Sequence, residues 1–132
     1  MREIKFRAWD TEREEMAEVI SGVGDEEVTL QDEECRQWNT VAHYIAIIMQ
    51  YTGLKDKNGT EIYEGDVLDG SYINPLSDER TEKLYKVVYG NGGFDANMIG
   101  SHPFGSTLLR FENKGSTVIG NIYENPELLE DV

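Results

Sequence analysis

The first residues whose spacing suggests a chemical site are oxygen-bearing side chains near the middle of the chain. Asp56, Asn58 and Thr60 fall at the first, third and fifth positions of a calcium-binding loop. The sixth position of such a loop requires glycine and is Glu61, and the twelfth requires a bidentate glutamate and is Val67. Because the sharp bend and the bidentate ligand are both missing, the pattern favours a β-turn over a metal site.

Three carboxylates close to this turn, those of Glu61, Glu64 and Asp66, could provide a general acid and a general base. The chain holds 26 acidic against 12 basic residues, however, and acidic side chains on such a chain usually form a solvated face. We therefore expect a structural role for this segment. It should form a charged bend in which Asp66 accepts hydrogen bonds from nearby backbone N–H groups.

Histidine, cysteine and glycine also fail to form a recognisable site. His43, His102 and Cys35 could hold a metal only if the fold brought them together, and their spacing gives no sign of this. His43 is more typical of a hydrogen-bonded core or interface residue, and Cys35 lacks a local signature that would activate a thiolate. The glycine-rich residues 90–93 lack a Lys-Ser/Thr pair and a following helix, which favours a strand connection over a phosphate cradle. We predict no catalytic residue, no metal and no cofactor.

Length and charge narrow the class of protein. With 132 residues, 39% of them hydrophobic, the chain can form a single domain with its own core. The formal charge of -14 repels phosphate backbones, so direct binding of nucleic acid is not expected. The charged start Met1-Arg2-Glu3 is not followed by an apolar segment, which predicts a cytoplasmic protein that makes no membrane contact.

The candidate turn residues lie in a stretch that reverses direction twice. Side chains that tolerate positive φ predict a tight reversal after an apolar run, and a second break just before Val67 predicts a sharp bend into the next strand. The glycines are predicted to be backbone requirements rather than ligand contacts. The structural turn residues are Gly53, Asp56, Asn58, Gly59, Gly65 and Asp66.

Apolar periodicity predicts a mainly β chain. Ile4 to Ala8 alternate as in a strand with one buried face. Met16 to Ile20 fit a returning strand, although Thr11 and Glu14 could instead form a capping box that opens a helix. Thr40 to Gln50 favour a central strand over a helix because they are rich in β-branched residues. This strand would be apolar on both faces. We therefore predict that its second face is covered either by loops of the same chain or by a second subunit in a homo-oligomer.

The remaining segments are predicted as loops, short strands and one helical turn. They are a loop with at most one short strand (Ser21 to Asn39), a loop (Asp69 to Lys83), a strand (Leu84 to Tyr89), a stretch with no continuous element (Gly90 to Gly105), a hairpin (Leu108 to Glu112 with Thr117 to Tyr123) and a C-terminal helical turn at Pro126 capped by Asn125.

Three blocks of this chain closely resemble the YopX-like family of small phage and prophage proteins. They are the opening MREIKFRAWD, the central YTGLKDKNGTEIYEGDVL and the closing VIGNIYENPELL, in the order in which the family has them. The resemblance implies a small β-rich domain with an SH3-like barrel, working in the cytoplasm of a bacterial host. The family has no established biochemical role, so the resemblance implies a fold rather than an activity.

The prediction of function therefore rests mainly on the lack of a recognisable catalytic, metal-binding or cofactor-binding motif in the sequence. The leading hypothesis is a non-enzymatic accessory protein that binds an unknown, possibly basic, protein partner. The alternatives are a small carboxylate-dependent hydrolase or nucleotide-handling enzyme, and an acidic DNA mimic that occupies the basic groove of a DNA-binding protein. Candidate partner-binding residues combine apolar side chains with adaptable glycines, namely Phe94, Met98, His102 and Phe104, although Phe94 and Phe104 are more typical of residues that cap the core. Tyr72 and Ile73 form a weaker second set.

Overall fold

The computed structural model describes residues 4–31, 38–90, 92–99 and 106–129. The chain divides into two compact units, an N-terminal unit (Met1–Tyr51) and a C-terminal unit (Thr52–Val132). Strands dominate both units, as predicted. Within the described ranges, every helix is too short to cross a lipid bilayer. The prediction of a single domain stays a prediction.

Antiparallel strands form the N-terminal unit, in the spatial order β4-β3-β2-β1-β5. They are β1 (Phe6–Asp10), β2 (Glu15–Ser21), β3 (Glu27–Gln31), β4 (Trp38–Ala42) and β5 (Ala46–Lys55), the last of which continues into the C-terminal unit. The core of this unit comprises Ala8, Ala17, Val28, Leu30 and Ala46. Three of these five side chains are alanines, and Val28 and Leu30 are the two larger ones.

The predicted return strand after β1 is confirmed, and the alternative helix is not formed. Asp10 is 3% exposed, and its Oδ1 accepts hydrogen bonds from the amides of Glu12 and Arg13 at 3.0 and 3.1 Å. This side chain therefore closes a short turn between β1 and β2. The antiparallel pairing of β1 with β2, from Arg7 opposite Glu18 to Asp10 opposite Glu15, excludes the helix.

The prediction of one central strand from Thr40 to Gln50 is wrong. β4 ends at Ala42, residues 43–45 form a turn, and β5 begins at Ala46. The Ile45 amide donates to the Ala42 carbonyl at 2.9 Å, and the Ile45 carbonyl accepts from both the amide and the hydroxyl of Thr11. The turn is not visible in the sequence because apolar residues alternate through it. The turn also means that there is no single strand with two apolar faces, which was the basis for predicting a homo-oligomer. A homo-oligomer stays a prediction without that support.

In the described part of the segment from Ser21 to Asn39, the predicted loop and short strand are confirmed, and only the start of β4 was not predicted. The apolar patch of this segment forms the short strand β3, as expected, and β4 already begins at Trp38. β3 pairs with β4 from Glu27 opposite Ala42 to Gln31 opposite Trp38. Backbone pairing along these five residues explains why so polar a segment is held in a sheet.

The C-terminal unit contains a five-stranded antiparallel sheet in the order β12-β11-β10-β7-β13, a strand that pairs with β5, and a separate two-stranded hairpin. Its elements are β6 (Glu61–Tyr63), β7 (Asp66–Asp69), β8 (Tyr72–Ile73), β9 (Arg80–Thr81), β10 (Leu84–Gly90), β11 (Gly93–Met98), β12 (Ser106–Leu108), α1 (Leu109–Glu112), a 3-10 turn (Asn113–Gly115), β13 (Thr117–Asn121) and a second 3-10 turn (Pro126–Leu129). The buried core comprises Ile62, Leu68, Tyr85, Val87, Ala96 and Leu109.

Three predictions for this unit need correction. The segment after Gly90 contains β11, which pairs along its whole length with β10. The predicted hairpin between Leu108 to Glu112 and Thr117 to Tyr123 is not formed. Leu109 to Glu112 form α1, in which Leu109 is completely buried, and β13 pairs with β7 instead. The loop from Asp69 to Lys83 contains the β8–β9 hairpin. The predicted helical turn at the C-terminus is confirmed as a 3-10 turn.

The barrel prediction is not confirmed. Among the described residues, the sheet of the C-terminal unit has two open edges, β12 and β13, and the strand order of the N-terminal unit begins at an open edge on β4. A barrel requires the first and last strands of a sheet to pair with each other.

Candidate functional site

The tight reversal between β5 and β6 is held by the carboxylate of Asp56. Its Oδ1 accepts hydrogen bonds from the amides of Asn58 and Thr60, each at 2.9 Å. Its Oδ2 accepts a third from the amide of Val118, on β13, also at 2.9 Å. Both oxygens of this 6% exposed residue are thus directed at backbone donors, which confirms the turn prediction.

Hydrogen bonding outweighs burial in setting the charge state of Asp56. Burial by itself would raise the pKa of the carboxyl, because it disfavours the ionised form. The amides of Val118, Thr60 and Asn58 and the positive charge of Lys57 act in the opposite direction, and together they hold the pKa below its usual value. The carboxylate is therefore ionised at neutral pH, as an acceptor of three N–H groups should be.

The second bend lies between β6 and β7, with Gly65 in the turn and Asp66 as the first residue of β7. Asp66 is 2% exposed, and its Oδ2 accepts a hydrogen bond from the Tyr63 amide at 2.8 Å, as predicted. Gly65 donates its amide to the Val87 carbonyl and accepts from the Ile122 amide, both at 2.9 Å. The bend therefore joins β10 to the segment after β13.

Positive φ confirms that the predicted glycines meet backbone requirements. The φ angles of Gly53, Gly59 and Gly65 are 84°, 84° and 88°. At Gly59 a Cβ would meet no atom within 4 Å, so space is available and only the backbone conformation demands glycine.

Backbone pairing of β13 with β7 holds the closing sequence block beside the central one, and asparagine side chains fix the turn that follows β13. Asn121 pairs with Asp66 across β13 and β7, and its Oδ1 accepts from the amides of Tyr123 and Glu124 at 3.0 and 2.8 Å. The Oδ1 of Asn125 accepts from the Asn121 amide at 3.2 Å. The two blocks therefore form one hydrogen-bonded network, built around β7 and β13.

Sequence reasoning missed two buried polar residues that complete this network. The Nδ2 of Asn113 donates to the Lys55 carbonyl at 2.7 Å, and Asn113 is 5% exposed. Ser116 is completely buried and donates its hydroxyl to the Glu112 carbonyl at 2.7 Å, and its backbone carbonyl accepts from the Lys57 amide at 3.0 Å. In the sequence, Asn113 and Ser116 lie in or beside the stretch that joins the two arms of the predicted hairpin, and nothing there indicates that they are buried.

The network is suited to holding backbone rather than to chemistry. Its buried carboxylates accept hydrogen bonds from amides, and Glu61 and Glu64 are half-buried beside them. Across the described ranges, no group of three or more His, Cys, Asp or Glu side chains could hold a metal ion. His43 is exposed at the turn between β4 and β5, and its ring meets Tyr44 edge-on with centroids 6.3 Å apart.

The candidate partner-binding residues are only partly described. Phe94 and Met98 lie on β11, are half-buried and pack against the core of the C-terminal unit. The ring of Phe94 also meets Tyr89 edge-on, with centroids 5.1 Å apart. This packing agrees with the core alternative, while partner binding stays a prediction. His102 and Phe104, like Cys35, lie outside the described residues.

Comparison with known proteins identifies the family but not an activity. A family model described as YopX protein matches residues 5–130. Among solved structures, the crystal structure of protein EF1440 from Enterococcus faecalis is similar, with a TM-score of 0.64 and 30% sequence identity over 98% of this chain and 100% of that chain. No curated protein matches the chain. Because the family model spans nearly the whole chain, the chain belongs to the YopX protein family.

Proposed function

We propose that this chain is a non-enzymatic accessory protein of a phage or prophage, and that it works in the bacterial cytoplasm by binding another protein. The observation that carries the proposal is the set of apolar side chains on the β8–β9 hairpin. Tyr72, Ile73 and Leu76 are 49%, 62% and 96% exposed. All three residues lie on one short hairpin, and a group of exposed apolar side chains marks an interaction site more often than a single one does.

The hairpin is ordered although its apolar residues face solvent. Ile73 pairs with Arg80, and the Asn74 amide donates to the Glu79 carbonyl at 2.8 Å. The Oδ1 of Asn74 accepts from the Leu76 amide at 2.9 Å, which fixes the backbone that presents Leu76. A preorganised anchor loses less conformational entropy when it binds, and burying one such side chain contributes about 1.5–3 kcal/mol.

Affinity capture with a matched pair of variants tests this proposal. The hairpin variant is Ile73→Ser with Leu76→Ser, and the control is Ile4→Ser, because Ile4 is 71% exposed but lies outside the hairpin. We expect the parent and the control to retain the same partner from a lysate of infected cells, and the hairpin variant to lose it with an unchanged melting curve. Equal retention by all three chains would refute the role of the hairpin. Turnover in a broad substrate screen, with no protein retained, would instead favour the enzyme alternative.

The acidic decoy is a second candidate, favoured by the formal charge of -14. Repeating the capture at increasing salt separates it from the apolar hairpin. A decoy that depends on charge should lose its partner as the Debye length falls below about 8 Å, whereas binding by buried apolar anchors should persist.

A further inference from the structure

The N-terminal unit contains a cavity of about 250 Å³ with an apolar floor and an acidic rim. The floor is formed by two core residues, Val28 at 1% exposure and Ala46 at 6%, together with the half-buried Ile48. The rim carries Asp25 and Glu26, which are exposed. Among the described residues, neither Lys nor Arg lines the cavity.

Two turns are fixed side by side to form this rim. The Asp25 amide donates to the Gly22 carbonyl at 2.9 Å, which closes the turn between β2 and β3. The His43 amide donates to the Glu26 carbonyl at 2.8 Å, which ties the turn after β4 to the turn before β3. Asp25 and Glu26 therefore lie on backbone held from both sides, and His43 also lines the cavity.

Size and charge restrict what the cavity can hold. Pockets for drug-sized ligands and cofactors occupy roughly 300–1,000 Å³, so this cavity is better matched to one amino-acid side chain. An apolar floor below two carboxylates suits a side chain with an aliphatic stem and a cationic head, which describes Lys and Arg. A neutral apolar side chain would cover the carboxylates without offering them a donor.

We propose that this cavity receives a Lys or Arg side chain of a partner protein. The inference rests on the proposed function, that the chain binds a protein, and it adds the chemistry by which the partner is recognised. Tyr44 stands beside His43 at the same turn and is 79% exposed, so an aromatic side chain is placed next to the cavity where a partner backbone would approach.

Methyl NMR of the full chain tests the cavity directly. The probes are N-acetyl-arginine amide and N-acetyl-lysine amide, with N-acetyl-norleucine amide as the uncharged comparison. We expect saturable shifts of the Val28, Ala46 and Ile48 methyl groups with one or both cationic probes, and at least tenfold weaker binding of norleucine amide. Equal binding of all three probes, or no shift at these methyl groups, would overturn the proposal.

Charge-removing variants identify the rim as the source of selectivity. Asp25→Asn with Glu26→Gln should weaken the cationic probe at least tenfold, while the control Glu12→Gln with Glu127→Gln, two exposed residues outside the cavity and outside the β8–β9 hairpin, should leave binding unchanged. Equal weakening by both pairs would show a general charge effect and overturn the proposal. Spermidine supplies the remaining comparison, because tenfold tighter binding of spermidine than of the amides would assign the cavity to a free amine instead.

Partner capture separates failure of the cavity from failure of the function. If a protein retained by the parent chain is retained equally by the Asp25→Asn, Glu26→Gln variant, the cavity proposal fails and the protein-binding function stands. If the cationic probes bind but no protein is retained, the protein-binding function fails, and with it the assignment of the cavity to a partner side chain.

Discussion

Replacing Asp56 is the most informative perturbation of the polar network. Asp56→Ala removes the acceptor of three backbone N–H groups at 2.9 Å, those of Asn58, Thr60 and Val118. Asn58 and Thr60 are exposed, so water can partly replace the carboxylate there, whereas Val118 is half-buried on β13. A hydrogen bond to a charged group contributes about 1.5–3 kcal/mol, so counting the Val118 bond in full and the other two in part gives a loss of about 3–5 kcal/mol.

Urea denaturation at neutral pH measures this loss. Because the stability of a domain is about 5–15 kcal/mol, the variant should show a clearly lower midpoint. Asp56→Asn should lose less, since it keeps one acceptor oxygen. Glu79→Ala is the control, because this acidic residue is exposed on the β8–β9 hairpin, and it should change stability by less than about 0.5 kcal/mol. If Asp56→Ala unfolds at the same urea concentration as the control, the three hydrogen bonds do not hold the turn and our reasoning is wrong.

The same carboxylate makes stability depend on pH in a predictable direction. The folded-state pKa of Asp56 lies below the usual value, which is about 3.9 in unfolded chains. The stabilisation is therefore complete above about pH 4 and is lost as pH falls through the folded-state pKa. The difference in unfolding free energy between the parent and Asp56→Ala should be constant from neutral pH to about pH 5 and should shrink below about pH 4. A constant difference down to pH 2 would contradict this assignment.

Three further substitutions test separate parts of the C-terminal unit. Gly59→Val forces a β-branched residue to a φ of 84°, so it should lower stability by at least about 1–2 kcal/mol and the melting temperature by several degrees, while Gly59→Asn should be nearly neutral. Asn113→Ala deletes the 2.7 Å hydrogen bond to the Lys55 carbonyl and should lower the free energy of unfolding by about 1–3 kcal/mol, which urea denaturation would measure. Phe94→Ala should lower the free energy of unfolding by about 2–4 kcal/mol without abolishing partner capture, and the opposite pair of results would make Phe94 a binding anchor.

Turns were predictable where their conformation demands particular residues. Positive φ at Gly59 and Gly65 restricts the residue types that fit, so the reversal and the bend could both be located from sequence. Asp56 could be assigned to the turn for the same reason, because its contacts with Asn58 and Thr60 are local.

Elements that depend on distant contacts were not predictable. The turn at residues 43–45 has none of the usual turn residues, and Thr11, which binds its Ile45 carbonyl, lies 34 positions away. The segment Leu109–Glu112 is compatible with a strand or a helix, and complete burial of Leu109 selects the helix. The hydrogen-bond partners of Asn113 and Ser116 likewise become visible only in the folded chain.

The contact between Asp56 and Val118 has a consequence for how the chain is made. The two residues are 62 positions apart, so a ribosome must add those residues after Asp56 before the third hydrogen bond can form. At a translation rate of about 5–20 residues per second, this delay is roughly 3–12 s. A nascent chain that has not yet reached β13 carries Asp56 with only its local donors, Asn58 and Thr60. Completion of the turn is therefore a late event of synthesis, although the turn itself lies in the middle of the chain.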